Sequence, residues 1–135
     1  MIRKLDHIGI AVSDLEAETT FFRDVLGLHF LGYEDLPDRQ LKVAKFEVGE
    51  THIELLYPTS PESTVAKFIA QKGEGLHHIA MKVEGAQQTL DRLASAGVQL
   101  IDSKPRPGAG GSKVAFLHPK STFRVLIEIC ESGCE

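Results

Sequence analysis

The chain states one short pattern twice. Asp6-His7-Ile8-Gly9-Ile10-Ala11-Val12 returns as His77-His78-Ile79-Ala80-Met81-Lys82-Val83, and Ile53-Glu54-Leu55-Leu56 returns as Ile127-Glu128-Ile129-Cys130. His7 and His78 lie 71 residues apart, Glu54 and Glu128 lie 74 apart, so nearly one offset serves both pairs. The repeat predicts two similar modules, each giving one His and one Glu from the middle of a strand. Two imidazoles and two carboxylates are a donor set for a single metal ion, with positions left for a substrate.

Residues 5–12 alternate with a period of two and predict a strand. Ser13 followed by Glu16 fits a capping box, opening a helix through Phe21, Phe22, Val25 and Leu26 that stops at Gly27. Strands are expected at 28–33, 41–48 and 51–57, the last two joined by a tight turn at Gly49-Glu50. Ser60-Pro61 is expected to cap a connecting helix ending at Gly73. The order then repeats: a strand at 76–83, a helix at 86–96 stopped by Gly97, a short strand at 98–101, a Pro/Gly-rich loop at 105–111, and strands at 113–117 and 124–130. The expectation is an α+β fold: one domain over 1–135, built of two tandem βαβββ modules (about 1–58 and 74–131) that form a curved mixed sheet around a metal-binding cleft. Gly9, Ala11 and Ala80, in phase with the histidines, would leave space on the face they share.

Composition narrows the partners. A formal charge of −4 and a pI near 5.9 argue against nucleic acid, which requires a basic face. No apolar run is long enough for a membrane span, and no N-terminal stretch reads as a secretory signal. Cys130 and Cys134 are too close together and too near the end to staple a fold, which points to a reduced, cytoplasmic protein. Bare sheet edges on two such modules favour a homodimer.

Taken singly, each His or Glu is an ordinary polar residue on a half-exposed strand. Glu54 and Glu128 resist that reading, because each sits in an apolar strand where a lone carboxylate is costly to bury. Of the adjacent pair His77-His78, one side chain alone can face the cavity, and the repeat sets His78 on His7. His77 is then a supporting or interface residue. His118, Lys120 and Ser121 fall on a turn that is either simply exposed or a seat for an anionic group of the substrate. His29 and His52 have no counterparts in the repeat and read as surface or packing residues. Gly108-Ala109-Gly110-Gly111 lacks the Lys-Ser/Thr of a phosphate loop and reads as a lid.

The chain resembles the vicinal oxygen chelate superfamily, and within it the methylmalonyl-CoA epimerase family. The resemblance rests on Asp6 to Val12, Leu26-Gly27-Leu28, Ile53 to Leu56, Gly73-Glu74-Gly75-Leu76-His77-His78-Ile79-Ala80 and Phe116-Leu117-His118-Pro119-Lys120-Ser121. It implies that His7, Glu54, His78 and Glu128 hold one divalent ion, with Co²⁺ favoured and Mn²⁺, Ni²⁺ or Zn²⁺ compatible. It implies an acyl-CoA thioester as substrate, inverted at the carbon next to the thioester, with Glu128 and Glu54 as catalytic groups. Two positions depart from the family pattern. Val43 stands where some members carry a second glutamate base, leaving Lys45, Glu47 or a water for that task. Arg124 stands where a glycine usually precedes the last strand.

Other activities use the same donors. A glyoxalase I-like lactoylglutathione lyase is the nearest alternative; a metal-free binding module of the same fold is a second. An extradiol dioxygenase fits less well, since it typically needs two His and one Glu with Fe(II).

Overall fold

The computed structural model describes residues 1–132; Cys134 lies outside them. The chain clusters into two compact units, one of His7–His77 and one of Met1–Asp6 with the chain from His78 onward. No helix among the described residues is long and apolar enough to cross a membrane.

In the first unit, β1 (Ile2–Ala11) enters from the other unit and is followed by α1 (Leu15–Thr20), β2 (His29–Leu36), β3 (Leu41–Val48), β4 (Thr51–Pro58) and α2 (Thr64–Lys72). The strand order is β2-β3-β4-β1, with β1 parallel to β4 and the rest antiparallel. Alternation sorts the side chains onto two faces. Ala44, Phe46 and Leu55, with Val12, pack beneath Leu15 and Phe22 of the first helical segment. Ala11, Leu41, Val43 and Leu56 face the other way and meet Val65, Phe68 and Ile69 of α2. Ala11 and His7 share this second face, four residues or about 13 Å apart along the strand. Within the unit, α2 thus covers the Ala11 end, away from His7.

The helix starts differ from the sequence reading. Asp14, not Ser13, caps α1 by accepting from the Ala17 amide at 3.1 Å. Ser13 is engaged elsewhere, its amide donating to Glu74 Oε1 at 2.6 Å. After Thr20 the helix widens to a π-turn over Phe21–Val25, with the Leu26 amide reaching Phe21 O, and ends at Gly27, where φ is +73°. Ser63 rather than Ser60 caps α2, and the Ser60 hydroxyl closes the preceding turn onto the Glu62 amide.

In the second unit, β5 (Gly75–Val83, from His78) leads into α3 (Ala86–Ser95), β6 (Arg106–Pro107), β7 (Lys113–Phe116) and β8 (Ile127–Glu131), in the order β5-β8-β7-β6. Here β5 and β8 run parallel and the other pairs antiparallel. Val83, Ala86, Leu90, Ala115, Leu117 and Ile129 form the core under α3. The Ala86 amide at the helix start donates to Glu131 Oε1 at 2.6 Å, fixing α3 to the end of β8. The helix–strand–strand plan therefore recurs, as the sequence repeat requires.

Three expectations change here. Segment 98–101 is no strand: it makes one bridge, Leu100 to Leu117, because Gln99 bonds Ser121 and Ile101 and Asp102 both donate to Phe116 O. The loop expected at 105–111, with a lid at Gly108-Ala109-Gly110-Gly111, instead holds β6 and a closed hairpin turn, with Gly108 N on Ser112 O and the Ser112 hydroxyl on Ala109 O. Gly108 is required there, since a Cβ would meet Val114 Cγ1 at 2.6 Å. Finally, β8 begins at Ile127 instead of 124, because Phe123 and Arg124 take φ of +57° and +74° in a turn closed by Arg124 N on Pro119 O.

Two predictions follow from this layout. Left-handed backbone costs a non-glycine residue about 1–2 kcal/mol. Arg124→Gly should therefore raise the unfolding free energy by about 0.5–1 kcal/mol after the added chain entropy is deducted, measured by urea denaturation. A destabilised variant would mean that the arginine side chain itself supports the turn. The other concerns Glu18, whose carboxyl is pushed up from 4.5 to about 7 by burial, by its hydrogen bond to Glu74, and by the charges of Glu74 and Asp14. Its protonated form is favoured in the fold, so its contribution is complete below pH 4.5 and fades as pH rises to about 7. Glu18→Gln should flatten the stability profile across that window; an unchanged profile would contradict this.

Candidate metal centre

Each module presents one buried His/Glu pair, set by strand register. In the first unit Gly9 of β1 lies beside Glu54 of β4, two residues after His7. In the second, Ala80 of β5 lies beside Glu128 of β8, two residues after His78. The same parallel pairing and the same two-residue step thus place both pairs. The small residues Gly9 and Ala80 at the matching positions leave the carboxylates room on that face.

His7 Nδ1 stands 3.5 Å from Glu54 Oε2, and His78 Nε2 stands 3.8 Å from Glu128 Oε2. His7, Glu54 and His78 are 5% exposed and Glu128 1%. These separations exceed a good hydrogen bond and lie near the roughly 3.4 Å expected between two donors on one tetrahedral ion at about 2.1 Å. Burying a carboxylate against an imidazole is unfavourable unless charge and hydrogen-bonding needs are met, and a cation between them would meet both. The donor chemistry of each pair therefore fits a divalent metal. Phe116, on the strand beside Glu128, packs edge-on against His78 with ring centroids 5.4 Å apart and limits its rotation.

His77 takes the opposite face of β5. It packs edge-on against Phe68 of α2 at 4.8 Å, and burial, aided by the charges of Arg39 and Lys72, lowers its pKa to about 4. A neutral ring wedged against α2 fits the supporting role that the repeat assigned it. In the turn after β7, His118 Nδ1 accepts from the Lys120 amide at 3.0 Å, and the Ser121 hydroxyl accepts from Gln99 N at 2.9 Å. Those contacts shape the turn; Lys120 itself is exposed.

The register also brings in residues that the repeat passed over. Lys45 lies directly across from Glu54, and Glu47 across from His52, all on the face of Glu54 by alternation. His29 is exposed, as the sequence reading expects of a surface residue, and meets Glu47 at 3.3 Å. The signal was legible: 41, 43, 45 and 47 share one parity. Fixing which strand they met required the hairpin register. Val43, at 1% exposure, is a packing residue beneath α2.

Comparison with known proteins agrees with this architecture. Residues 6–116 match the family described as the Glyoxalase/Bleomycin resistance protein/Dioxygenase superfamily. An uncharacterized protein of Bacillus subtilis, YqjC, is 43% identical over 96% of this chain and 93% of its own length. An ethylmalonyl-CoA/methylmalonyl-CoA epimerase of Cereibacter sphaeroides is 39% identical over 96% of this chain and 98% of its own. Among solved structures, a methylmalonyl-CoA epimerase in complex with methylmalonyl-CoA and NH4+ superposes with a TM-score of 0.94. It is 33% identical and covers 98% of this chain and 96% of that one.

The two adjacent histidines should separate on mutation. His78→Ala should abolish tight metal binding by calorimetry. His77→Ala should keep it and lose about 1 kcal/mol of stability, the scale of one aromatic contact. The reverse pattern would put the ligand face on the wrong side of β5.

Proposed function

The chain belongs to the Glyoxalase/Bleomycin resistance protein/Dioxygenase superfamily, and within it we propose that it epimerises methylmalonyl-CoA at C2. The observation that carries the reading is the repeated register, His7 with Glu54 and His78 with Glu128, each pair buried at mid-strand. We assign all four as ligands of one divalent ion, with Co²⁺ favoured over Mn²⁺, Ni²⁺ and Zn²⁺ on the strength of the family resemblance. Mixed imidazole and carboxylate ligation by itself suits each of them.

The hydrogen at C2 is acidic because its removal spreads charge onto the thioester oxygen. The ion, when bound, supplies positive charge that offsets this developing charge. Inversion then requires a proton to leave one face of C2 and return to the other. We assign these transfers to Glu128 and Glu54, one from each module, whose low exposure would keep bulk water from competing. Val43 cannot carry a proton, so the chain does without a carboxylate at that position. The near-full-length identity to an ethylmalonyl-CoA/methylmalonyl-CoA epimerase supports this reaction over the lactoylglutathione lyase alternative.

The protein is read as a cytoplasmic homodimer. β2 and β6 each end a strand series, and such edges invite pairing with a second chain. The buried thiol of Cys130, which donates to Asp6 Oδ2 at 3.7 Å, is consistent with a reducing compartment.

In D₂O, metal-loaded protein should exchange the C2 hydrogen of methylmalonyl-CoA and carry either stereoisomer to a near-equal mixture, with chelator stopping both. Glu128→Gln should slow exchange by more than about 10²-fold, the lower end for losing a general base. No exchange with any divalent ion, together with turnover of a glutathione hemithioacetal, would replace this reading with the lyase.

A further inference from the structure

We propose that Lys45 binds the free carboxylate of the acyl group, and so selects malonyl-type thioesters over those ending in a neutral group. The inference rests on the epimerase reading and adds to it a residue that reads the substrate's charge.

The two modules are alike at the ligands and unlike at one neighbouring position. In the second unit the strand residue directly across from Glu128 is Phe116, an apolar wall against His78. In the first unit the residue directly across from Glu54 is Lys45. Directly opposed residues on antiparallel strands have Cβ atoms about 4.5–5.5 Å apart and point to one face. One module therefore lines its metal pair with a ring and the other with a cation.

That cation is half-buried and makes no ion pair with any acid among the described residues. Glu54 is turned to His7 instead, at 3.5 Å. Glu47, two residues along the same face, is turned to His29 at 3.3 Å. A partly buried ammonium with its nearest acids engaged elsewhere is costly in the free protein and favours an incoming anion. Ligand carboxylate meets this need, and a methylmalonyl group carries one on the reacting carbon itself. Lys45 in this reading binds the substrate's charge, in place of the proton-carrying role open to it from sequence alone.

Isobutyryl-CoA is the discriminating probe, because it replaces that carboxylate with a methyl group and keeps the CoA moiety. Binding of each thioester to metal-loaded protein would be measured by calorimetry for wild type, Lys45→Met and Lys45→Arg. The expected result is at least about 10-fold weaker methylmalonyl-CoA binding in Lys45→Met, the scale of one charge-assisted bond. Isobutyryl-CoA affinity should be unchanged and Lys45→Arg should recover most of the loss. In exchange assays the Lys45→Met effect should fall mainly on KM. Equal weakening of both thioesters would place Lys45 on the CoA phosphates and overturn the proposal, as would no change in either. Those outcomes leave the epimerase reading standing, whereas wild-type protein that binds neither thioester overturns both.

Discussion

Two buried carboxylates govern what the rest of this fold must do. A Glu at mid-strand in an apolar sheet is among the costliest placements for a side chain, and here the placement occurs twice in matched register. Beside each, an imidazole arrives from the neighbouring parallel strand, two residues before the glutamate's pairing partner, and the pair together offers donors to a cation that would offset the cost. The parallel pairing is what makes this possible: a His and a Glu on adjacent strands meet on one face only if the register is fixed. Parallel strands need a crossover, which each module provides with a helix after its first strand. The helices are thus part of the site's specification, and their apolar faces hold the sheets from the side opposite the ligands.

The modules are alike at the four proposed ligands and differ at the positions beside them. Phe116 against His78 and Lys45 against Glu54 occupy matching strand positions, one apolar and one charged. His77 replaces Asp6 in the repeat and is spent on packing against Phe68, which anchors the start of β5 to α2. The two halves share one register, and the positions beside the ligands, where they differ, are where substrate recognition can differ from metal binding.

Much of this was legible in the amino-acid order, for a physical reason. Strand periodicity and the glycine stops at Gly27, Gly73 and Gly97 are local signals, and the elements they mark are present. The repeat supplied what local signals cannot, namely which His belongs with which Glu. The misreadings were made where nonlocal bonds override local preference. Ser13 looks like a cap until Glu74, 61 residues away, takes its amide. Segment 98–101 looks like a strand until Ser121 and Phe116 O take its donors. The last strand begins late because two left-handed residues, neither of them glycine, precede it. Lys45 was visible as a candidate, but its place opposite Glu54 depends on the turn at Gly49-Glu50 fixing the hairpin register.

Shared ligation of one ion by both pairs is the central claim, and counting metal tests it most directly. Purified protein loaded with Co²⁺ and desalted should hold one equivalent per chain by elemental analysis. His7→Ala and His78→Ala should each lose it, because neither pair alone offers enough donors. Two equivalents per chain, or a full equivalent kept when one pair is disabled, would show that the modules bind metal separately and would contradict the shared site.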